Sequence, residues 1–227
     1  LSTTQVKGLT ATELGALTAA QVDALAATQL AALAATQVAG FTSTQTAALD
    51  ATQIAALTKP QVAALGADAL SGLSTTQIAA LTTTQASALT ATQIAGLATR
   101  QVAALSQTQI GVLNSTQVAA LTSSQIGALT ATQIAGLATT QIAAIDAAAV
   151  AGLTATEIAA LASSQLAALT ATQFAGFTSA QVTALSTAQI GNLTTTQLSA
   201  LSASGLDGLT TTEIAALSTT QLPALTA

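Results

Sequence analysis

Leu129-Thr130-Ala131-Thr132-Gln133-Ile134-Ala135-Gly136 recurs unchanged at residues 89–96. Outward from these two copies the same pattern tiles the chain without gaps. Twenty-eight octads run from Leu1 to Ala224, and Leu225-Thr226-Ala227 begin another. Position one is Leu in 25 octads, with Phe41, Ile145 and Phe177 as the exceptions. Position two is Ser, Thr, Asp or Asn in 22, and position five is Gln or Glu in 25. Position six is Ile, Val, Leu or Phe in 26, the exceptions being Thr46 and Ala86. A short fixed period marks a repeat architecture, in which each unit touches only its neighbours. The 227 residues therefore read as one tandem array with no internal domain boundary.

Each octad spells the start of a helix. A Ser or Thr N-cap accepts a hydrogen bond from the backbone N–H three residues on, and Gln or Glu there returns one to the N-cap N–H. Thr130 and Gln133 are such a pair, with Leu129 and Ile134 as the hydrophobic staple. One match of this kind is weak evidence, whereas twenty or so in register are strong. Asp50 and Asp146 stand at the cap, where Asp serves as well as Thr. Glu13, Glu157 and Glu213 replace Gln, their charge favouring the helix dipole. Pro60 falls in a first turn, where its missing N–H costs nothing. Pro223 is expected to fray the last octad.

The pattern predicts an all-α solenoid of very short helices, one per octad. A single long helix is excluded, because eight residues advance about 80° beyond two turns and smear the apolar stripe. A β-solenoid is the alternative, but the five-residue step from Leu to Ile puts them on opposite strand faces. Ala and Gln are also poor strand formers. Gly at position eight (Gly8, Gly40, Gly72, Gly96, Gly136, Gly152, Gly176 and Gly208) suits a left-handed helix end or a close backbone approach. These glycines recur on average every three to four octads, a spacing that hints at the superhelical repeat. Isolated helices this short are marginal, so stability must come from stacking. Octads 65–72, 145–152 and 201–208 lack the Gln (Ala69, Ala149, Gly205) and are expected to be soft.

Composition closes off most chemistry. Aromatic residues make up 1%, charged residues 5%, and the net charge is −5. Lys7, Lys59 and Arg100 are too few and too scattered to neutralise phosphates, so no nucleic-acid partner is expected. Polar residues recur every octad, which excludes a membrane-spanning helix of about 20 apolar residues. Absent cysteine rules out disulfides and thiolate metal sites. There is no His, Cys, Tyr, Trp or Met to act as base, nucleophile or ligand. The acids Glu13, Asp23, Asp50, Asp68, Asp146, Glu157, Asp207 and Glu213 are dispersed, five of them in cap or Gln slots. The sequence thus predicts no enzyme, no catalytic, cofactor or metal residues, no cofactor and no small-molecule substrate. The chain starts in register at Leu1 and reads as a mature or excised segment.

The octad, for example Leu193-Thr194-Thr195-Thr196-Gln197-Leu198, resembles the Leu-Thr-Thr-x-Gln-Ile octapeptide arrays of very large bacterial secreted and surface proteins described as adhesins. That resemblance covers the whole chain. It implies an extracellular or cell-surface stalk, filament or adhesin spacer. Self-assembly, end to end or lateral, is the expected partnership, since the array shows no distinct polar capping octad. The alternative function is ice binding by a Thr/Ala face. It fails if the Thr at positions two and four are consumed by caps and first turns.

Overall fold

A computed structural model describes residues 1–226; Ala227, the last residue of the partial octad, lies outside the described residues. Among the described residues every regular element is helical. There are 27 α-helices of four to six residues, followed by a 3-10 helix at Leu222–Thr226. The helical reading holds and the β-solenoid does not. The octad containing Pro223 is the one that forms a 3-10 helix in place of an α-helix.

One octad shows how the chain repeats itself. In the helix Ala91–Gly96, Thr90 is extended (φ −75°, ψ 160°) and its side chain accepts from the Gln93 N–H at 3.1 Å. The Thr90 N–H donates to Gln93 Oε1 at 2.7 Å, completing the capping box. The Ile94 N–H reaches back four residues to the Thr90 carbonyl. The Leu97 N–H then reaches back only three, to Ile94, tightening the last turn. Leu97 itself is extended (φ −64°, ψ 140°), and the next N-cap follows. Among the described residues none, glycine included, has a positive φ. The helices therefore stop without left-handed glycines: two extended residues, Leu and N-cap, suffice.

Position-eight glycines serve close approach instead. A methyl group on Gly40, Gly72, Gly152 or Gly208 would run into the carbonyl of Ala11, Ser43, Ser123 or Ser179, each 29 residues earlier. Gly96 faces open space and has no such need.

The chain forms two compact units, Leu1–Leu113 and Asn114–Ala227. Within the first, helix Ala19–Asp23 packs on Ser43–Ala48, which packs on Ala67–Gly72. Within the second, Ala131–Ala135 packs on Ala155–Ala160 and Ser179–Thr183 on Ala203–Leu206. Each helix thus lies against the one three octads away, and each unit winds as an α-solenoid with between three and four octads per turn. The core is two apolar columns. Position-six residues from Val6 to Leu198 are 3% exposed or less, and position-one residues from Leu25 to Leu201 are 6% or less.

Candidate functional site

The most conspicuous polar feature is the Gln at position five. Its Oε1 caps its own helix, and its Nε2 crosses to the turn below. Gln101 Nε2 donates to the Leu70 and Leu73 carbonyls at 2.8 Å each. Gln181 does the same to Val150 and Leu153, also at 2.8 Å. The offsets of 31 and 28 residues recur in both units, for example at Gln61, Gln85 and Gln197. Each amide therefore joins a helix start in one octad to a helix end about one superhelical turn earlier. The capping role was legible in the sequence. The second bond, from the amide N–H, has a partner that the sequence did not name.

Burial follows from that geometry. Gln5, Glu13 and Gln21 are exposed, and Gln29 is half-buried and reaches the Leu1 carbonyl. From Gln37 onward the slot is buried, because there is now a turn beneath it. Buried side-chain amides are tolerable only when satisfied, and among the described residues no buried side-chain polar atom lacks a partner.

The acids are scaffold. Asp50 accepts from the Gln53 N–H at 2.7 Å and Asp146 from Ala148 at 2.9 Å. Asp68 accepts from the Ser43 N–H at 2.9 Å, capping a helix three octads below its own. Asp23 and Asp207 are exposed at helix ends. Glu13, Glu157 and Glu213 complete capping boxes with Thr10, Thr154 and Thr210. Two of them titrate in opposite directions. The exposed Glu13 carboxyl is held below the usual range by hydrogen bonds from Thr10, backbone first. Burial pushes the Glu157 carboxyl up, and its bonds to Thr154 offset this only in part. In the register of its neighbours the Ile126 and Leu129 carbonyls face Glu157, where an ionised carboxylate has nothing to donate.

Among the described residues no three His, Cys, Asp or Glu gather as a metal site. No described helix is long and apolar enough to cross a membrane. One groove of about 500 Å³ opens in the first unit, lined by Leu1, Leu9, Leu17, Gln21, Leu25 and Gln29 among others. It carries no acid, base or nucleophile. The Thr are divided: position-two hydroxyls cap helices, as at Thr90, but position-four side chains are exposed in every octad. Of the two positions whose consumption would end the ice-binding reading, scaffolding consumes only the first.

Residues 94–131, 110–139 and 158–195 match the family described as the ALTTAQ repeat. The six letters of that name align with position eight through position five, where this chain reads, for example, Ala184-Leu185-Ser186-Thr187-Ala188-Gln189. These matched segments, the first two overlapping, support a tandem repeat array. No curated protein matches it.

Proposed function

We propose that this repeat array is a non-enzymatic structural spacer, a stalk or filament module of a secreted or cell-surface protein. The observation that carries the reading is the double use of Gln. Position-five amides are spent on holding successive turns together, and the position-two hydroxyls and most carboxylates on starting helices. Little reactive chemistry remains, and what remains is repeated rather than singular. Weak, nearly identical octads summed along one axis suit a part that bears length or load. An antibody against this chain, applied to intact cells of its source, tests the location. Labelling without permeabilisation, removed by external protease, is the expected result. Labelling only after lysis contradicts it.

The exposed position-four side chains favour a second reading, a Thr-bearing ice-binding surface. A helix packs on its third neighbour, so any one side of a unit receives a position-four residue only about every third octad. That dilutes the ladder, and we rank this reading second. Thermal hysteresis at micromolar concentration would establish it, and none at millimolar concentration would end it.

A further inference from the structure

From 161 to 200 every octad of the second unit is tied to the turn below. Gln165, Gln173, Gln181, Gln189 and Gln197 each donate from Nε2 to a position-one carbonyl at 2.7–2.9 Å. Each also reaches a position-six carbonyl at 2.8–3.4 Å. The two octads before them, 145–152 and 153–160, break this ladder. Ala149 has no amide, and Glu157 brings a carboxyl to the slot. By the offsets of 31 and 28 residues, the carbonyls left without a glutamine are those of Val118, Leu121, Ile126 and Leu129. Both slots are buried, Ala149 at 3% exposed and Glu157 at 2%.

Elsewhere a missing glutamine is replaced by another bond. Thr46 Oγ1 donates to the Ala69 carbonyl and Asp68 accepts from the Ser43 N–H, joining 41–48 to 65–72. Thr183 Oγ1 donates to the Gly208 carbonyl, joining 177–184 to 201–208. Octad 145–152 has neither device. Three octads below it, Ile126 and Gly127 stand where Thr46 and Thr183 stand in their octads, and Ala148 stands where Asp68 does. Close packing alone holds this joint: a methyl on Gly152 would run into the Ser123 carbonyl, and Ser123–Ile126 packs on Ala147–Val150.

Glu157 is the one side chain in the gap that can add a donor, and only as the neutral acid. One carboxyl oxygen accepts from the Thr154 N–H at 2.6 Å. A proton on the other would stand where a glutamine amide stands, toward the Ile126 and Leu129 carbonyls. Ionised, that oxygen sets a negative charge against two carbonyl dipoles in a buried seam. Burial favours the neutral form. Helix Ala155–Ala160 packs on Ala131–Ala135 and Ser179–Thr183, and neither carries an acid or a base. The charged residue in the adjoining octad, Asp146, accepts from Ala148 in its own helix.

We propose that residues 145–160 form a proton-operated joint in the array. With Glu157 neutral the two octads are latched to the turn below; with Glu157 ionised they open locally while the tied octads 161–200 stay stacked. Such an array is stiffer in acid and yields at one defined place as the pH rises. The joint is a property of the fold and goes beyond the spacer reading, so the surface-labelling result does not bear on it.

Backbone hydrogen exchange of the full chain, expressed as protection factors at pH 4 and pH 7, tests the joint. Wild-type protection over 145–160 should fall about three- to tenfold from pH 4 to pH 7, the worth of one hydrogen bond. Protection over 161–200 should stay the same. Glu157→Gln has nearly the same shape and should keep the acid value at both pH values. It retains Asp146, so any pH dependence left in it belongs to that cap. Three results would each overturn the proposal: wild-type protection over 145–160 that ignores pH, a loss spread evenly through 161–200, or a Glu157→Gln chain that loses as much as the wild type.

Discussion

Glu13 and Glu157 occupy the same octad slot, close the same capping box with a threonine, and differ in what lies beneath them. Among the described residues no turn lies under Glu13. It is exposed, its Oε2 accepts from the Thr10 N–H at 2.7 Å and hydroxyl at 2.9 Å, and its carboxyl ionises more readily than usual. Under Glu157 lies a complete turn. It is 2% exposed, and despite a 2.6 Å bond from the Thr154 N–H its carboxyl holds its proton more tightly than usual. Local sequence sets the cap, whereas the turn below sets the electrostatics. A repeat with one consensus therefore carries two kinds of position-five residue, covered and open.

The largest consequence is for Gln itself. Gln101→Ala should cost about 3 kcal/mol, leaving the Ala98 N–H and the Leu70 and Leu73 carbonyls without their partner in a buried seam. Gln21→Ala at the open end should cost about 1 kcal/mol, the worth of a cap alone. Urea denaturation of the two variants measures the gap, and equal losses would break the comparison.

Glycines obey the same division at about 2 kcal/mol, the range of overpacking strain. Gly72→Ala drives a methyl into the Ser43 carbonyl of the turn below and should destabilise by that much. Gly8, with no turn beneath, meets only its own helix at 3.4 Å, so Gly8→Ala should be neutral. Gly96→Ala, in open space, should stabilise by about 0.5–1 kcal/mol. Thermal melts of the three variants should rank in that order.

Glu157 gives a smaller, pH-dependent effect of about 1 kcal/mol, one hydrogen bond's worth. Glu157 has a folded pKa above its unfolded value of about 4.3. Its protonated form favours folding, so stability is lost as pH rises from there through the folded pKa. Glu157→Gln should therefore stabilise at pH 7, with a gain that vanishes below about pH 4. Glu13 runs oppositely: its folded pKa is depressed, so its contribution is present above the unfolded pKa and lost as pH falls through the folded one. Glu13→Gln should stabilise no monomer at pH 7. Melts at pH 4 and pH 7, at concentrations low enough to keep the chain monomeric, decide both.

The smallest effect concerns the three octads without Gln. In 65–72 the loss is offset by Asp68 accepting from Ser43 and by Thr46 Oγ1 donating to the Ala69 carbonyl at 2.5 Å. In 201–208 Thr183 Oγ1 donates to the Gly208 carbonyl at 2.9 Å. Octad 145–152 has the local Asp146 cap. Backbone hydrogen exchange should be fastest in 145–152, and uniform protection across all three would contradict this.

Much of this fold was legible because the helix start is written locally. Leu89, Thr90, Gln93 and Ile94 lie within six residues, and their spacing alone dictates cap, box and staple. The partners of Gln93 Nε2, Val62 and Leu65, lie 31 and 28 residues back. No periodicity within an octad reveals them, because that offset depends on how helices stack. The clue was in the exceptions. Thr46 and the irregular octad 65–72 sit three octads apart, and so do Gly127 and Gly152, whose backbones touch. The glycine readings separated on the same ground: backbone freedom was not needed, but closeness to another turn was. The open groove was illegible, since every Leu at position one looks alike until its neighbours in space are known.

The central claim is that each covered Gln spends its amide on the turn below. NMR exchange of side-chain amide protons tests it most directly, on samples dilute enough to be monomeric. The Nε2 protons of Gln101 and Gln181 should exchange slowly, while those of Gln5 and Gln21 exchange at the rate of a free amide. Equally fast exchange at all four would show that the covered amides bind nothing, and the account would fail.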